Sequence, residues 1–378
     1  AAGTAREENG RRAAPVNERV GDYLIQIGLI NRARSAILRP EGGFSVFDQV
    51  SGQSHDVPKG ADLEVRADEE KRVHMGDLVL SGAARLMPAS PGDAVLLGSR
   101  RYRGSLLLKP NEDSTITIVN ELGIEEYLYG VLAKEMLPSW PLEALKAQAV
   151  VARTFALNNL GKYSELGFDL SDDARSQVYS GLEAESERVL EAVRSTSGQV
   201  LSWRGRRLDA YFHSCCGGHT ASVNAIWGGS PTPKPLRGVS DRYCKTSPQF
   251  RWSAFFSEED LLDSLRNHLG PMESLQGIRL GSRDASGYLT DIRVSADSKS
   301  FRVRANDFRN WLGAAQFRST QVWRIVRRAG GFVFVGRGFG HGVGLCQWGA
   351  KEQAEHGKDY RRILSFYFPG AEVVAPDE

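Results

Sequence analysis

Three groups of residues could do chemistry. Glu135 falls where a helical pattern ends, beside Met136, Leu137 and Trp140. A helix C-terminus disfavours negative charge and apolar neighbours disfavour it further, so both effects raise the carboxyl pKa. A carboxylic acid still protonated near neutral pH suits general-acid cleavage of a glycosidic bond, where the departing oxygen must receive a proton. A capping or surface glutamate is the other reading of this position.

The second group is the segment GRGFGHGVG, with Gly336, Gly338, Gly340, Gly342 and Gly344 alternating. If extended, one face carries no side chains and offers a flat floor to a polysaccharide. The fingerprint of a dinucleotide loop fails: its third glycine would fall at His341, Val343 or Leu345, and no Gly-Lys-Ser/Thr follows. His341 and Gln347 flank this floor and could donate to sugar hydroxyls or satisfy buried loop carbonyls.

The third group, His213, Ser214, Cys215, Cys216, Gly217, Gly218 and His219, holds four potential metal ligands in seven residues. Adjacent Cys215 and Cys216 do not make a paired zinc motif. The favoured reading is a Cys216–Cys244 disulfide with Cys215 and Cys346 as buried thiols, and no cofactor. Zinc on His213, Cys216 and His219 is the weaker alternative, and a cysteine-histidine nucleophile a third.

Elements must position these groups. From Tyr23 to Val119 short β-rich runs alternate with turn signals such as Pro40-Glu41-Gly42-Gly43 and Pro91-Gly92, predicting antiparallel sheet. Helical spacing of Leu128, Val131, Leu132 and Met136 predicts a helix ending near Glu135. Pro141 suits the first turn of a second helix, Leu142 to Leu157, apolar on most sides. A polar helix near 183–195 and a hairpin turning at Arg204-Gly205 follow. Residues 257–331 read as an inserted α+β subdomain, and the chain closes with a strand, the glycine-rich loop and two helices.

The 378 residues carry 48 Lys plus Arg against 46 Asp plus Glu, a formal charge of +2 that offers no basic field for nucleic acid. No apolar run reaches the roughly 18 residues of a membrane-spanning helix. The polar start from Ala1 is expected to be disordered or the trimmed end of an exported chain. Four cysteines are compatible with one bridge in an oxidising compartment.

Three stretches together are specific: GIEEYLYGVLAKEMLPSWPLEALKAQAVVARTFAL (123–157), SQVYSG (176–181) with YFHSCCGGHT (211–220), and GRGFGHGVGLCQWGAKEQA (336–354). In them the sequence resembles the stage II sporulation protein D family, which includes amidase-enhancer relatives. The resemblance implies a peptidoglycan lytic transglycosylase that cleaves the β-1,4 bond between N-acetylmuramic acid and N-acetylglucosamine in denuded glycan strands. Glu135 matches the family's catalytic glutamate. Gln177, Tyr179, His213, Ser214, His341 and Gln347 match polar motif positions expected to line a glycan groove. Some relatives hold zinc through Cys and His in the loop before Gln-Val-Tyr, but residues 168–179 here contain neither.

The expected fold is therefore α+β. It has a processed or disordered segment (1–18), a β-rich N-terminal lobe (19–103) and a mixed catalytic core (104–370) with the subdomain at 257–331. The expected location is the periplasm or cell envelope, with glycan strands as ligand and a cell-wall amidase as a further partner. A non-catalytic, peptidoglycan-binding activator of such an amidase is the rival function. A cysteine or zinc hydrolase built on the run from His213 to His219 is a second rival.

Overall fold

A computed structural model of the protein describes residues 23–375. The segment 1–18, expected to be disordered or processed, lies outside them. The chain is α+β, as expected, and divides into two compact units. The first holds residues up to Trp140 together with Ala152–Val200, and the second holds Pro141–Val151 and Leu201–Val373.

The first unit opens with twelve strands: β1 (Leu24–Ala33), β2 (Ser35–Pro40), β3 (Phe44–Asp48), β4 (Ser54–Val57), β5 (Leu63–Ala67), β6 (Val73–Met75), β7 (Leu78–Leu80), β8 (Ala84–Pro88), β9 (Val95–Leu97), β10 (Arg100–Tyr102), β11 (Ser105–Pro110) and β12 (Ile116–Gly123). With the short β13 (Leu170–Ser171) they make two sheets, ordered β13-β1-β12-β11-β8-β3-β4 and β10-β9-β2-β5-β6-β7. The alternation read from sequence is real in β5, whose residues are buried and exposed by turns. Strand β12 breaks it, being buried from Ile116 to Leu122, because β1 and β11 flank it and both its faces are covered. Strands on both sides of residue 103 share the larger sheet, so the β-rich segment and the start of the expected core are one structure.

Helix α1 (Ile124–Glu135) follows β12 directly. Its first turn carries Glu125 and Glu126, and the Glu126 carboxylate accepts from the Gly123 N–H at 3.2 Å. Acidic groups there satisfy free amides and complement the helix dipole. Helix α2 (Leu142–Asn158) gives its first ten residues to the second unit and its last seven to the first. Arg153 on α2 is fully buried. Its Nε and Nη2 donate to the two Glu125 oxygens at 2.8 and 2.6 Å, and Nη1 donates to the Gln199 carbonyl at 3.0 Å. Helix α3 (Glu187–Arg194) packs against α1.

In the second unit the segment 251–337 surrounds its own core, in which Trp252, Phe256, Phe308, Phe317 and Phe334 are buried together. Strands β14 (Val200–Trp203), β15 (Arg206–Arg207), β16 (Phe212–His213) and helix α4 (Val223–Trp227) precede it. It contains β17 (Arg251–Ser257), α5 (Glu258–Leu269), β18 (Leu275–Leu280), β19 (Asp291–Ala296), β20 (Lys299–Arg304), α6 (Ala305–Trp311), β21 (Val322–Arg328) and β22 (Gly331–Arg337). The sheets run β17-β22-β21 and β18-β19-β20. Strands β18 and β21 are not evident in the sequence, since Gln276, Gly277 and Arg279 interrupt the first apolar pattern and Arg324, Arg327 and Arg328 the second. The chain returns through β23 (Leu345–Cys346), α7 (Gln347–Glu355) and α8 (Tyr360–Tyr367).

A buried ion pair is costly to break from one side, because the remaining charge stays desolvated. Arg153→Leu is therefore expected to destabilise the first unit by about 3 kcal/mol in urea denaturation, and Glu125→Gln on top of it to recover part of that loss. A loss below about 0.5 kcal/mol for the single variant would show that the pair does not anchor α1.

Candidate active site

Glu135 is the last residue of α1 and is half-buried. The chain that follows it is pinned: Arg188 of α3 donates to the Pro138 carbonyl at 2.9 Å and to the Trp140 carbonyl at 2.8 Å. Met136 and Trp140 are buried, whereas Leu137 is 59% exposed and so contributes little to the apolar surroundings expected of it. Burial raises the Glu135 pKa to about 7, opposed by a long backbone hydrogen bond, 3.4 Å, from the Val178 N–H. The rise inferred from sequence is present, and desolvation is its main cause.

The segment 177–181 sets that N–H in place. The Tyr127 hydroxyl donates to Gln177 Oε1 at 3.2 Å, the Tyr179 hydroxyl donates to Asn120 Oδ1 at 2.8 Å, and the Ser180 N–H donates to the Gly130 carbonyl at 3.1 Å. A Cβ at Gly130 would collide with the Tyr179 ring, so glycine is required at this point of α1. Tyr179 corrects the expectation of a groove-lining residue. It is 1% exposed with its hydroxyl engaged by Asn120, so it positions the segment and presents nothing to a ligand. Gln177 is likewise interior, with its Nε2 buried and unpartnered among the described residues. Asp172 is a further carboxyl near Tyr127, and Arg100 sits 3.3 Å from it.

The other predicted residues lie in the second unit. His213 and Gln347 are buried, whereas Ser214 and His341 are partly exposed. His213 Nδ1 meets the Val343 carbonyl at 3.1 Å, and burial lowers its pKa to about 4. His341 Nδ1 accepts from the Val343 N–H at 3.0 Å, and burial holds this imidazole well below its ordinary pKa. Both rings are therefore neutral at physiological pH. Gln347 Nε2 donates to Gln148 Oε1 at 3.4 Å.

Sequence reasoning missed Tyr211 and Trp227. The Trp227 ring lies 4.8 Å from Tyr211 and 5.0 Å from His341, and both aromatics are partly exposed. Trp227 is distant in sequence from both partners, so no local spacing signals the cluster.

The glycine-rich segment also departs from expectation. Gly338, Gly340, Gly342 and Gly344 all have positive φ, between 75° and 114°, so the backbone is not a flat extended floor. Their missing side chains admit the protein itself. A Cβ at Gly338 would lie 2.6 Å from the Cys215 carbonyl, one at Gly340 would lie 2.7 Å from His213 Cβ, and one at Gly342 would strike the Tyr288 hydroxyl. The segment is laced to 212–221 by backbone pairing of Cys215 with Phe339, Ala221 with Val343, and Phe212 with Leu345.

The expected Cys216–Cys244 disulfide is not present. Both residues are free, with sulfurs 3.4 Å apart, well beyond the roughly 2.05 Å of a bond. Cys215 and Cys346 are buried thiols, as read from sequence. The alternative metal set of His213, Cys216 and His219 does not assemble either. The donor group around Cys216 consists of Asp241, Cys244 and Cys346, while His219 Nδ1 meets the Thr220 carbonyl at 2.8 Å. The loop 168–179 holds neither Cys nor His, so the zinc set of some relatives does not fit here.

A depression of about 690 Å³ in the second unit, lined by Arg266, Met272 and Asp297 among others, includes none of the predicted residues.

The family profile described as stage II sporulation protein matches residues 112–203, the span that contains Glu135 and the segment 177–181. Stage II sporulation protein D of Bacillus amyloliquefaciens is 30% identical over 281 residues, covering 68% of this chain and 76% of that protein. The chain belongs to the stage II sporulation protein D family. A second profile, a domain of unknown function (DUF8618), matches residues 236–344. An uncharacterized protein of Brachyspira hyodysenteriae is 37% identical over 75% of this chain and 74% of its own length. The amidase enhancer of Bacillus subtilis is 29% identical over 94% of this chain, which spans 59% of that longer relative.

In this stage II sporulation protein D family member the state of Glu135 is open to a test that needs no substrate. A carboxyl whose pKa rises from 4.5 unfolded to about 7 folded binds its proton more tightly in the native state. Its contribution to stability is full below pH 4.5 and is lost as pH rises through about 7. Glu135→Gln should match the wild type near pH 4 and exceed it by up to about 3 kcal/mol near pH 8.5 in denaturant titrations. An equal difference at both pH values would refute the raised pKa.

Proposed function

We propose that the chain is an exported peptidoglycan lytic transglycosylase of the cell envelope, acting on the bond between N-acetylmuramic acid and N-acetylglucosamine in denuded glycan strands. The observation that carries this reading is the Glu135 carboxyl at the end of α1, half-buried and raised by desolvation to a pKa of about 7. Family membership and the place of Glu135 inside the matched span support it.

The protonated Glu135 gives its proton to the glycosidic oxygen as the bond to C1 of the muramic residue breaks. The resulting carboxylate takes the proton of the muramic C6 hydroxyl as that oxygen closes on C1. The product is a 1,6-anhydro ring, water is not consumed, and Glu135 ends protonated. One carboxyl serves both steps, unlike the paired carboxylates of most glycosidases. A pKa near 7 suits a group that must donate and then accept.

Within the second unit, Tyr211 and Trp227 offer partly exposed aromatic faces on which a pyranose ring can stack, and the partly exposed Ser214 brings a hydroxyl that can hydrogen-bond a sugar. No helix among the described residues is long and apolar enough to cross a membrane.

The relative named amidase enhancer favours a second reading, a non-catalytic glycan-binding activator of a cell-wall amidase. Mass spectrometry of denuded strands separates the two. Anhydro ends are expected from the wild type, with Glu135→Gln reducing their release by about 10²–10⁴-fold while strand binding persists. The rate should fall as pH rises through about 7, because the acid form is then depleted. New reducing ends would mean a hydrolase. Absence of new ends, with an added amidase accelerated, would establish the activator reading instead.

A further inference from the structure

Three segments of the second unit bring sulfur and oxygen donors to one buried point. Cys216 follows β16, Asp241 and Cys244 bracket a turn leading into a short 3-10 helix (Cys244–Thr246), and Cys346 ends β23 at the start of α7. One donor atom from each residue lies within 4.8 Å of all the others, and the four residues are fully buried. Cys216 Sγ is 3.4 Å from Cys244 Sγ and 3.2 Å from Asp241 Oδ2. Sulfurs around a tetrahedral zinc ion with bonds of about 2.3 Å stand about 3.8 Å apart, so the group needs only a small outward adjustment to receive one.

Asp241 argues for an ion independently of the thiols. Its carboxylate accepts from the Tyr243 N–H at 2.8 Å and from the Tyr367 hydroxyl at 2.9 Å, and its other neighbour is the Cys216 thiol. None of these partners carries positive charge. Among the described residues no cationic side chain pairs with this carboxyl, so holding it as an anion at this depth calls for a bound cation.

The surroundings are built around the group. The Cys216 N–H points at Cys346 Sγ at 3.3 Å, and the Tyr288 hydroxyl donates to the Cys216 carbonyl at 2.9 Å. Such contacts orient ligands in metal sites. A Cβ at Gly349 of α7 would collide with both the Tyr367 hydroxyl and Asp241 Oδ2, so the helix approaches the group only because that residue is glycine.

We propose that Cys216, Asp241, Cys244 and Cys346 form a structural zinc site. Three soft thiolates and one carboxylate in a closed, buried group of four fit zinc better than calcium or magnesium, which take more oxygen ligands. With every position filled by protein, the ion has no open place for substrate and serves to clamp the glycine-rich return segment to the loop after His213. The site is independent of the reading of Glu135, and its test reads metal and spectrum rather than activity.

The full chain, purified without chelator, should carry about one equivalent of zinc by elemental analysis. Cobalt(II) exchanged for zinc should give intense thiolate charge-transfer absorption and the visible bands of tetrahedral coordination. Cys346→Ser and Asp241→Asn should each lower the zinc content to below about 0.3 equivalents, while Cys215→Ser, outside the four, should retain it. If the variants fail to fold, the wild-type cobalt spectrum decides alone, since octahedral bands without sulfur charge transfer would overturn the assignment. A Cys216–Cys244 disulfide by intact mass, a metal-free wild type, or metal lost in Cys215→Ser but kept in Asp241→Asn would each overturn it as well.

Discussion

The guanidinium of Arg153 fixes the geometry on which the candidate active site depends. A fully buried positive charge is tolerable only when its donors find fixed acceptors, and here the Glu125 carboxylate takes two of them while the Gln199 carbonyl takes a third. Glu125 also accepts from the Gly198 N–H at 3.0 Å, so the first turn of α1, the last turns of α2 and the chain after α3 share one point. Helix α1 is rigid over its ten further residues, about 15 Å, and carries that constraint to Glu135. The two carboxylates near the ends of this helix contrast. Glu125 is matched by a guanidinium and an amide, whereas Glu135 sits in partly buried surroundings that favour its neutral form.

The second unit uses glycine for a different constraint. Left-handed backbone at alternate residues from Gly338 to Gly344 lets the return segment thread between the chain at 211–221 and Tyr288, with carbonyls and rings where side chains would stand. This close approach places Cys346 beside Cys216 and seats the two imidazoles against the Val343 backbone. The same packing desolvates His213 and His341 and so keeps both neutral.

What could be read from the sequence was what local pattern decides. Helices α1 and α2 follow from apolar spacing and from Pro141, and the position of Glu135 at a helix end beside buried Met136 and Trp140 already implied a raised pKa. What could not be read depends on chain segments far apart. Alternating glycines are compatible with an extended ribbon or a left-handed path, and only the atoms packed against Gly340 and Gly342 select the second. Tyr179 looks like a ligand contact because it is polar and sits in a motif, yet Asn120, on a strand fifty-nine residues earlier, engages its hydroxyl. Cys216 and Cys244 do approach each other, as the sequence suggested, but Asp241 and Cys346 join them and make a four-donor group where a bridge was expected.

The first unit also shows how one fold separates two carboxyls by environment alone. Tyr127 is fully buried and lies within electrostatic reach of both Glu135 and Asp172. Burial raises both carboxyl pKa values, with the Arg100 guanidinium opposing the rise at Asp172 and the Val178 amide opposing it at Glu135. Both sit near the same phenol, and burial favours the protonated form of each. A single group that titrates near the working pH can release and recover a proton without a partner to reset it. That property is what a mechanism run on one carboxyl would require of Glu135.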